Sequence, residues 1–423
     1  MDPADLTAIA ARARIAAGQL TPAALMEACL ARIAEREPTL HAMAYLDPAL
    51  ARLGAARARP GALHGLPLGV KDVLDTADMV TEYNSPIWKG HQPRADAGAV
   101  AWARAAGAVV VGKTVTTEFA TRTPGPTTNP HNPAHTPGGS SSGSAAGVAA
   151  GYFPFAFGTQ TAGSVIRPAA YCGVVGYKPT YGTIERHGMK LMSFSLDTIG
   201  VMARTVADCA LLAGAVSGRD LGDPEQAASR PWRIGLCRSH AWDNADAATQ
   251  TLLLDAATRL RNAGAVVSDI ELPPLYTEAA EAHALMMLSE SARAMAWELM
   301  TARDQLSPAL QERLEWGLTH TAEAADAARA TFDAARRGFA DVTSEFDVLL
   351  TPSAPGEAPL GIEWTGEPSF NSLWTGLHVP CVTVPAGMGP AGLPLGLQIV
   401  GRQGEDSRTL AAAHWIGSVA ANH

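Results

Sequence analysis

Charged residues are scarce in this sequence. Aspartate, glutamate, lysine and arginine make up 17% of its 423 residues, whereas hydrophobic residues make up 47%. A chain of this composition buries much of its length, so it is globular and not disordered. The net charge is -9, and the sequence lacks the lysine- and arginine-rich run that follows a phosphate backbone. We therefore expect no nucleic-acid ligand.

Cysteines are also few, and their spacing excludes a CxxC metal or redox pair. They lie far apart, mostly in apolar context, at Cys29, Cys172, Cys209, Cys237 and Cys381. An odd number of scattered cysteines is typical of reduced core thiols in a reducing compartment.

A long apolar run is missing as well. The best candidate, residues 147–165, is interrupted by Pro154 and several glycines, so it falls short of the ~18 residues that a membrane span needs. The N-terminal segment carries early acids and arginines within its apolar pattern, unlike a signal peptide. We expect no membrane association and a cytoplasmic location.

Short apolar runs alternate with helical segments beyond residue 60. Runs bounded by glycine or proline fit strands buried on both faces; they lie at 65–70, 107–112, 233–237, 346–351, 381–384 and 395–400. Helical periodicity occupies 95–106, 205–217, 246–263 and 406–421. The alternation predicts an α/β fold with a large, mixed, mostly parallel twisted sheet covered by helices on both faces.

We predict one domain over residues 1–423, because no internal repeat or long linker divides the chain. Residues 1–60 form its N-terminal helical segment and residues 61–215 its core. Residues 276–343 show helical periodicity without a strand signal, which predicts an excursion that shapes a pocket wall.

Three literal motifs have simpler interpretations. The segment GAVVVGKT (107–114) matches a phosphate loop, but its variable positions are an apolar strand, which leaves no loop to hold a phosphate. GSSSG (139–143) matches the nucleophile elbow of α/β-hydrolase-like serine esterases, with Ser141 central; the preceding Pro/Asn-rich loop is no central strand, so this function is an alternative only. His131 and His135 lie in a proline-rich loop, where a four-residue spacing does not predict a metal site.

Three other segments carry chemistry when taken together. Lys71 ends the apolar run of GLPLGVKD, Ser140 lies in PGGSSSGS, and Ser164 lies in GTQTAGSVIRP. The serines are separated by 164 − 140 = 24 residues. In this order and spacing the segments closely resemble the amidase signature family. Residues 96–120, 193–208, 346–359 and 392–401 resemble it too, so the resemblance covers nearly the whole chain.

The resemblance implies hydrolysis of a small-molecule linear amide without cofactor or metal, by a monomer or homodimer. Ser164 would be the nucleophile, Ser140 a proton relay and Lys71 the base. A lysine base must be neutral, so burial has to lower its pKa from about 10.4 to near 7. The resemblance also implies a cis peptide bond before Ser140, supported by Gly138 and Gly139, and an oxyanion hole from the backbone N–H groups of Thr161, Ala162, Gly163 and Ser164.

The sequence departs from the family pattern D-x-G-G-S-x-R-x-P around Ser164. Gln160 replaces the acid, Ile166 replaces the arginine, and Arg167 is displaced by one position. Replacing both halves of an ion pair is tolerated better than breaking one half. We expect a different hydrogen bond, from Gln160, to hold the oxyanion loop.

Substrate and partner are less constrained by the sequence. The family also contains amidotransferase A-type subunits that supply ammonia to a partner; the acidic charge and modest length favour a stand-alone hydrolase over this alternative. Aryl amides, esters and carbamates (urethanes) present similar carbonyl groups and are candidate substrates. An aromatic pocket wall is predicted from Tyr83, Trp88, Trp316, Phe370 and Trp374.

Overall fold

Eleven strands form one sheet in the computed structural model, which describes residues 2–420. The strands are β1 (Met43–Leu46), β2 (Pro67–Lys71), β3 (Val109–Thr114), β4 (Phe155–Gln160), β5 (Val175–Lys178), β6 (Thr198–Ala203), β7 (Arg233–Cys237), β8 (Val266–Ile270), β9 (Val348–Pro352), β10 (Cys381–Met388) and β11 (Pro394–Val400). Their order across the sheet is β1-β3-β2-β4-β6-β5-β10-β11-β9-β7-β8.

Fourteen α-helices accompany the sheet in the described part of the chain. They are α1 (Ala8–Ala16), α2 (Pro22–Leu40), α3 (Pro48–Ala56), α4 (Gly98–Ala105), α5 (Ser142–Ala150), α6 (Ile166–Tyr171), α7 (Val206–Ser217), α8 (Ala247–Asn262), α9 (Pro274–Ala294), α10 (Ala296–Thr301), α11 (Pro308–Leu318), α12 (Ala322–Val342), α13 (Ser372–Gly376) and α14 (Asp406–Ala420). None of these described helices combines the length and apolarity that crossing a membrane requires.

The sheet is mixed, as the sequence predicts, but antiparallel pairs outnumber parallel ones. Strand β2 runs parallel to β3 and β4, and β7 runs parallel to β8 and β9. The other six pairings among residues 2–420 are antiparallel. A parallel pair needs a long crossover, and the short loop between β10 and β11 allows only a hairpin. The expectation of a mostly parallel sheet is corrected accordingly.

The six strands predicted from continuous apolar runs all form. The sequence misses strands with other patterns: β8 lies at the sheet edge with exposed residues, and β1 is only partly buried. Strand β4 is completely buried, but it directly follows Pro154. It lies within residues 147–165, the apolar run that proline and several glycines interrupt, so the sequence does not mark it as a separate strand. Residues 276–343 are occupied by helices α9 to α12, which agrees with the predicted helical excursion. The last residue of the helix predicted at 406–421 lies outside the described residues.

The Gly/Ser-rich stretch after Gly138 is a packed helix and not a linker. Its residues from Ser142 onward form α5, which is buried along nearly its whole length. Small side chains let the helix lie close to neighbouring backbone: a Cβ atom added at Gly143 would lie 2.2 Å from the carbonyl oxygen of Ala42 and 2.4 Å from the amide nitrogen of Val115. Helix α5 thereby fixes the chain that leads to it, which contains Ser140.

A pair of glycine-to-alanine substitutions tests this packing. Gly143→Ala should lower the free energy of unfolding by about 1–3 kcal/mol, because two backbone groups would have to move. Gly338→Ala, in helix α12, meets no atom closer than 3.6 Å and should raise it by about 0.5–1 kcal/mol through helix propensity. Denaturant unfolding of both variants measures the difference, and a stabilising Gly143→Ala would contradict the packing.

Candidate active site

A buried lysine lies at the carboxyl end of β2. Lys71 has no exposed surface, and its Nζ atom donates hydrogen bonds to the Oγ of Ser140 and the Oγ1 of Thr159, each 2.7 Å away. Strand β4 runs parallel to β2, so Thr159 and Lys71 reach the same edge of the sheet. Burial lowers the pKa of Lys71 well below its usual value, whereas the charge of Asp197 has the opposite, smaller effect.

A second lysine on the neighbouring strand shows what distinguishes this amine. Lys113 of β3 is equally buried, but its Nζ lies 3.0 Å from a carboxylate oxygen of Asp72, and this pairing opposes the effect of burial on its pKa. No described carboxylate lies within 4.0 Å of the Lys71 Nζ. Of these two lysines, Lys71 is therefore the one whose amine can be neutral.

The loop before α5 presents Ser140 to this amine. The peptide bond between Gly139 and Ser140 is cis, as the resemblance implies. Gly138 has a φ of 80°, in the left-handed region that favours glycine. Ser141, the alternative nucleophile, is fully buried; its Oγ donates to the carbonyl oxygen of Thr159 and accepts from the Thr159 amide, each at 3.2 Å. The Ser141 hydroxyl therefore both donates and accepts a hydrogen bond with the backbone of Thr159.

Ser164, the predicted nucleophile, lines a cavity of about 210 Å³. Its hydroxyl makes no hydrogen bond to any residue in the described part of the chain, Ser140 included. The backbone N–H groups of Ala162, Gly163 and Ser164 likewise find no acceptor among residues 2–420. Free donors beside an unbonded hydroxyl in a cavity form an arrangement that can bind a carbonyl oxygen.

Gln160 holds the turn that contains these donors. Its Oε1 accepts hydrogen bonds from the amides of Val165 and Ile166 at 2.8 and 3.0 Å, and its Nε2 donates to Thr375 Oγ1 at 2.9 Å. The Thr375 hydroxyl in turn donates to the carbonyl oxygen of Ala162 at 2.7 Å. The expected hydrogen bond from Gln160 is therefore present, and neutral groups hold this turn.

The displaced arginine reaches back to the Ser140 loop. Arg167 is 5% exposed; its Nη2 donates to the carbonyl oxygen of Gly139 at 2.8 Å and its Nε to that of Thr365 at 2.9 Å. Arg167 thus links the segment after Ser164 with the segment before Ser140.

Two further side chains form hydrogen bonds with Thr161. The Thr161 hydroxyl donates to Asp197 at 2.5 Å, and the Thr161 carbonyl oxygen accepts from His283 Nε2 at 3.0 Å. Burial lowers the pKa of His283 to about 4, so the ring is neutral and carries its proton on Nε2. The sequence misses His283, because it is a single histidine in a helix with no motif around it.

The predicted aromatic wall is replaced by a different set of residues. The rings assigned to it lie elsewhere, and none of them borders the cavity beside Ser164: Tyr83, Trp88, Trp316, Phe370 and Trp374. Phe370 and Trp374 are 1% exposed core residues, whereas Trp316 is 41% exposed and contacts the His320 ring at a tilted angle of 52°. Aromatic spacing alone does not distinguish a core ring from a pocket ring. The cavity is bordered instead by Met192, Ala280, His283, Ala284, Met287, Leu288 and several charged residues.

The two loop histidines bind backbone. The ring of His131 contacts the carbonyl oxygen of Cys172 at 2.9 Å through Nε2, and that of His135 contacts the carbonyl oxygen of Ala358 at 2.7 Å through Nδ1. Each ring therefore fastens a loop to a neighbouring segment.

Replacing Gln160 tests whether it supports the turn. Gln160→Leu should lower the free energy of unfolding by about 1–3 kcal/mol, because two buried amides lose their acceptor. It should also lower kcat more than it changes KM, since the turn orients donors for the reacting carbonyl. Gln250→Leu, which removes one hydrogen bond outside the cavity, is the control and should leave kcat unchanged. Unchanged stability and kcat in Gln160→Leu would contradict this role.

Comparison with known proteins agrees with this geometry. A family model described as Amidase matches residues 24–410. The glutamyl-tRNA(Gln) amidotransferase A-type subunit from Chloroflexus aurantiacus is 35% identical, with 96% of this chain and 94% of the relative covered. The protein of the same name from Cereibacter sphaeroides is 34% identical, with 99% and 98% covered. These names correspond to the alternative function of the sequence analysis.

Solved structures include amidases. Native peptide amidase from Stenotrophomonas maltophilia has a TM-score of 0.84 and 33% identity, with 99% of this chain and 98% of that chain covered. The 6-aminohexanoate cyclic dimer hydrolase has a TM-score of 0.89 at 24% identity with the same coverage, which shows the shared fold alone. The α/β fold and the predicted resemblance are confirmed, and the chain belongs to the amidase signature family.

Proposed function

We propose that the protein cleaves a carboxylic amide through an acyl-enzyme on Ser164, with Ser140 as proton relay and Lys71 as base. The observation that carries the proposal is the fully buried Lys71 amine, 2.7 Å from the Ser140 hydroxyl and without a carboxylate partner. A hydroxyl attacks a carbonyl well only when a base removes its proton, and a buried, unpaired lysine is such a base.

The steps follow from the order of the three side chains. As the Ser164 oxygen bonds to the carbonyl carbon, Ser140 accepts its proton and donates its own to the Lys71 Nζ. The free amides of Ala162 and Gly163 stabilise the oxyanion. The proton then returns to the leaving nitrogen as the C–N bond breaks, and water releases the acid from Ser164 by the same path in reverse.

The choice between the two serines is tested with the purified protein alone, without partner or ATP, on simple anilides. Ser164→Ala should lower kcat by about 1,000-fold or more, because no acyl-enzyme can form. Ser141→Ala should keep most of the turnover, since its hydroxyl only bonds the backbone of Thr159. A fluorophosphonate that labels Ser164, located by mass spectrometry, gives a readout independent of rate.

The reverse pattern would favour the nucleophile elbow and a serine esterase. In that case Ser141→Ala would abolish both turnover and labelling, while Ser164→Ala would keep them. Thermal unfolding of both variants confirms that each is folded before the rates are compared.

The base is tested through pH dependence. Burial lowers the pKa of Lys71, and only the neutral amine accepts a proton, so kcat/KM should rise as pH increases through the Lys71 pKa. Lys71→Met should lower kcat/KM at least 1,000-fold, roughly, and remove this rise. Rates measured from about pH 5 to about pH 9 show the profile, and a flat wild-type profile would contradict a lysine base.

The names of the relatives favour a second candidate function, supply of ammonia as the A-type subunit of an amidotransferase. Curated relatives covering 96–99% of this chain carry that name. The chemistry proposed at Ser164 is the same for both functions. They differ in whether the released ammonia or amine enters solution or ammonia passes to a partner protein. Turnover by the protein alone supports the stand-alone hydrolase, whereas turnover of a primary amide only with a partner protein supports the amidotransferase.

The substrate panel follows from the cavity. Esters and carbamates carry a carbonyl that Ser164 can attack in the same way, so they belong beside primary amides and anilides. No phenylalanine, tyrosine or tryptophan lies among the lining residues, so an aryl group meets none of these rings in the cavity.

A further inference from the structure

Three successive peptide groups beside the cavity share one asymmetry. Each leaves its N–H group without an acceptor among residues 2–420, whereas its carbonyl oxygen accepts a hydrogen bond. The carbonyl oxygen of one residue and the N–H of the next belong to the same planar peptide. The free N–H groups of Ala162, Gly163 and Ser164 therefore each belong to a peptide whose carbonyl oxygen is already bonded.

Side chains from distant helices supply two of these three hydrogen bonds. His283, on α9 and 4% exposed, donates from Nε2 to the Thr161 carbonyl oxygen at 3.0 Å. Thr375, on α13, donates from its hydroxyl to the Ala162 carbonyl oxygen at 2.7 Å. The third bond, on Gly163, comes from the backbone of α6 at 2.9 Å. Two peptides of the turn therefore depend on side chains that are far away in the sequence.

Packing between three helices holds both side-chain donors in place. The Phe332 ring of α12 lies edge-on to the His283 ring, with centroids 6.3 Å apart. A Cβ atom added at Gly376, next to the second donor, would lie 2.0 Å from the same phenylalanine ring. A Cβ atom added at Gly163 would lie 2.4 Å from the Oδ1 of Asn371, the residue before α13. Helices α9, α12 and α13 thus fix both donors against the turn.

A hydrogen bond to the carbonyl oxygen of a peptide changes its N–H group as well. A donor at the oxygen draws electron density from the nitrogen, and hydrogen bonds in a chain strengthen one another by roughly 10–30% each. The bond also stops the peptide from rotating, so the orientation of the N–H is fixed before a substrate binds. The chain through Thr375 is longer, since its hydroxyl also accepts from Gln160 Nε2 at 2.9 Å.

We propose that His283 and Thr375 are positioning residues of the oxyanion hole, which orient and polarise the peptides whose N–H groups stabilise the oxyanion. The inference rests on the proposed function for the reaction at Ser164. Both side chains act only through the carbonyl oxygens that they bind, and neither exchanges a proton with the substrate. Their contribution grows with the negative charge on the substrate oxygen, so it is largest in the transition state.

Variants that remove or restore each donor test this role in the hydrolysis of butyranilide. His283→Phe and Thr375→Val should each lower kcat about 5- to 50-fold and change KM less than about 2-fold, because the lost bonds matter most in the transition state. His283→Gln and Thr375→Ser keep a donor and should restore part of the rate. A higher KM with unchanged kcat would place both residues in substrate binding and overturn the proposal.

Matched controls separate this role from ordinary support of the fold. His131 and Thr343 also bind backbone carbonyl oxygens, at 2.9 and 2.7 Å, but neither borders the cavity. His131→Phe and Thr343→Val should lower the midpoint of thermal unfolding and leave kcat unchanged. An equal loss of kcat in the controls would assign His283 and Thr375 a purely structural role and overturn the proposal.

The pH profile distinguishes a positioning His283 from a general base. Its pKa of about 4 keeps the ring neutral from about pH 5 to about pH 9. In His283→Phe, kcat/KM should therefore rise with pH as in the wild type, at a lower level throughout. Loss of the rise would make His283 a titrating group of the reaction and contradict the inference.

A transition-state analogue gives a readout that needs no turnover. When trifluoromethyl propyl ketone binds, the Ser164 oxygen bonds to its carbonyl carbon, the Ser164 proton passes through Ser140 to Lys71, and the ketone oxygen becomes an oxyanion. Fluorine NMR measures this adduct. Its affinity should fall by the same factor as kcat/KM in His283→Phe and Thr375→Val, and the adduct should be absent in Ser164→Ala.

The adduct also separates the two possible failures. An adduct that persists in Ser164→Ala, or none in the wild type, would overturn the proposed function and this inference with it. An adduct that is lost in Ser164→Ala but keeps its wild-type affinity in His283→Phe and Thr375→Val would overturn the inference alone, and the proposed function would stand.

Discussion

The hydrogen bond from the Lys71 amine to Ser140 is the interaction on which the rest of the site depends. It places a basic nitrogen where it has no exposed surface and no carboxylate partner among the described residues. Two structural features create it: the parallel pairing of β2 with β4, which brings Lys71 to Thr159, and helix α5, which fixes the loop containing Ser140. Lys113 shows the effect of adding a carboxylate partner, since Asp72 favours the charged form of its amine.

Neutral hydrogen bonds, and not an ion pair, hold the turn around Ser164. Gln160 accepts two backbone amides and contacts Thr375, which closes the network on the carbonyl of Ala162. A buried ion pair requires both partners to lose their hydration, so an amide that satisfies the same donors is a workable substitute. Arg167 has no acid partner within 4.0 Å among the described residues, and it links the Ser140 loop with the cavity.

The chemistry proposed at Ser164 would serve a hydrolase and an ammonia-supplying subunit equally, so the proposed catalytic residues do not distinguish the two functions. The distinction lies in what surrounds the cavity and in where the released nitrogen goes. The cavity is bordered by charged residues, among them Arg122, Arg313 and Glu367, and by no phenylalanine, tyrosine or tryptophan. Membership of the amidase family and the identity of the bond cleaved are independent of this question.

The sequence by itself determined the strands made of continuous apolar runs and, through the family resemblance, the positions of Lys71, Ser140 and Ser164. These features are local, because a buried strand needs a short apolar run and a motif needs only spacing. Tertiary structure alone decided that α5 is packed, that most strand pairs are antiparallel, and which residues border the cavity. His283, Arg122 and Arg313 reach the site from distant segments, and no local pattern encodes which side chains meet when those segments pack.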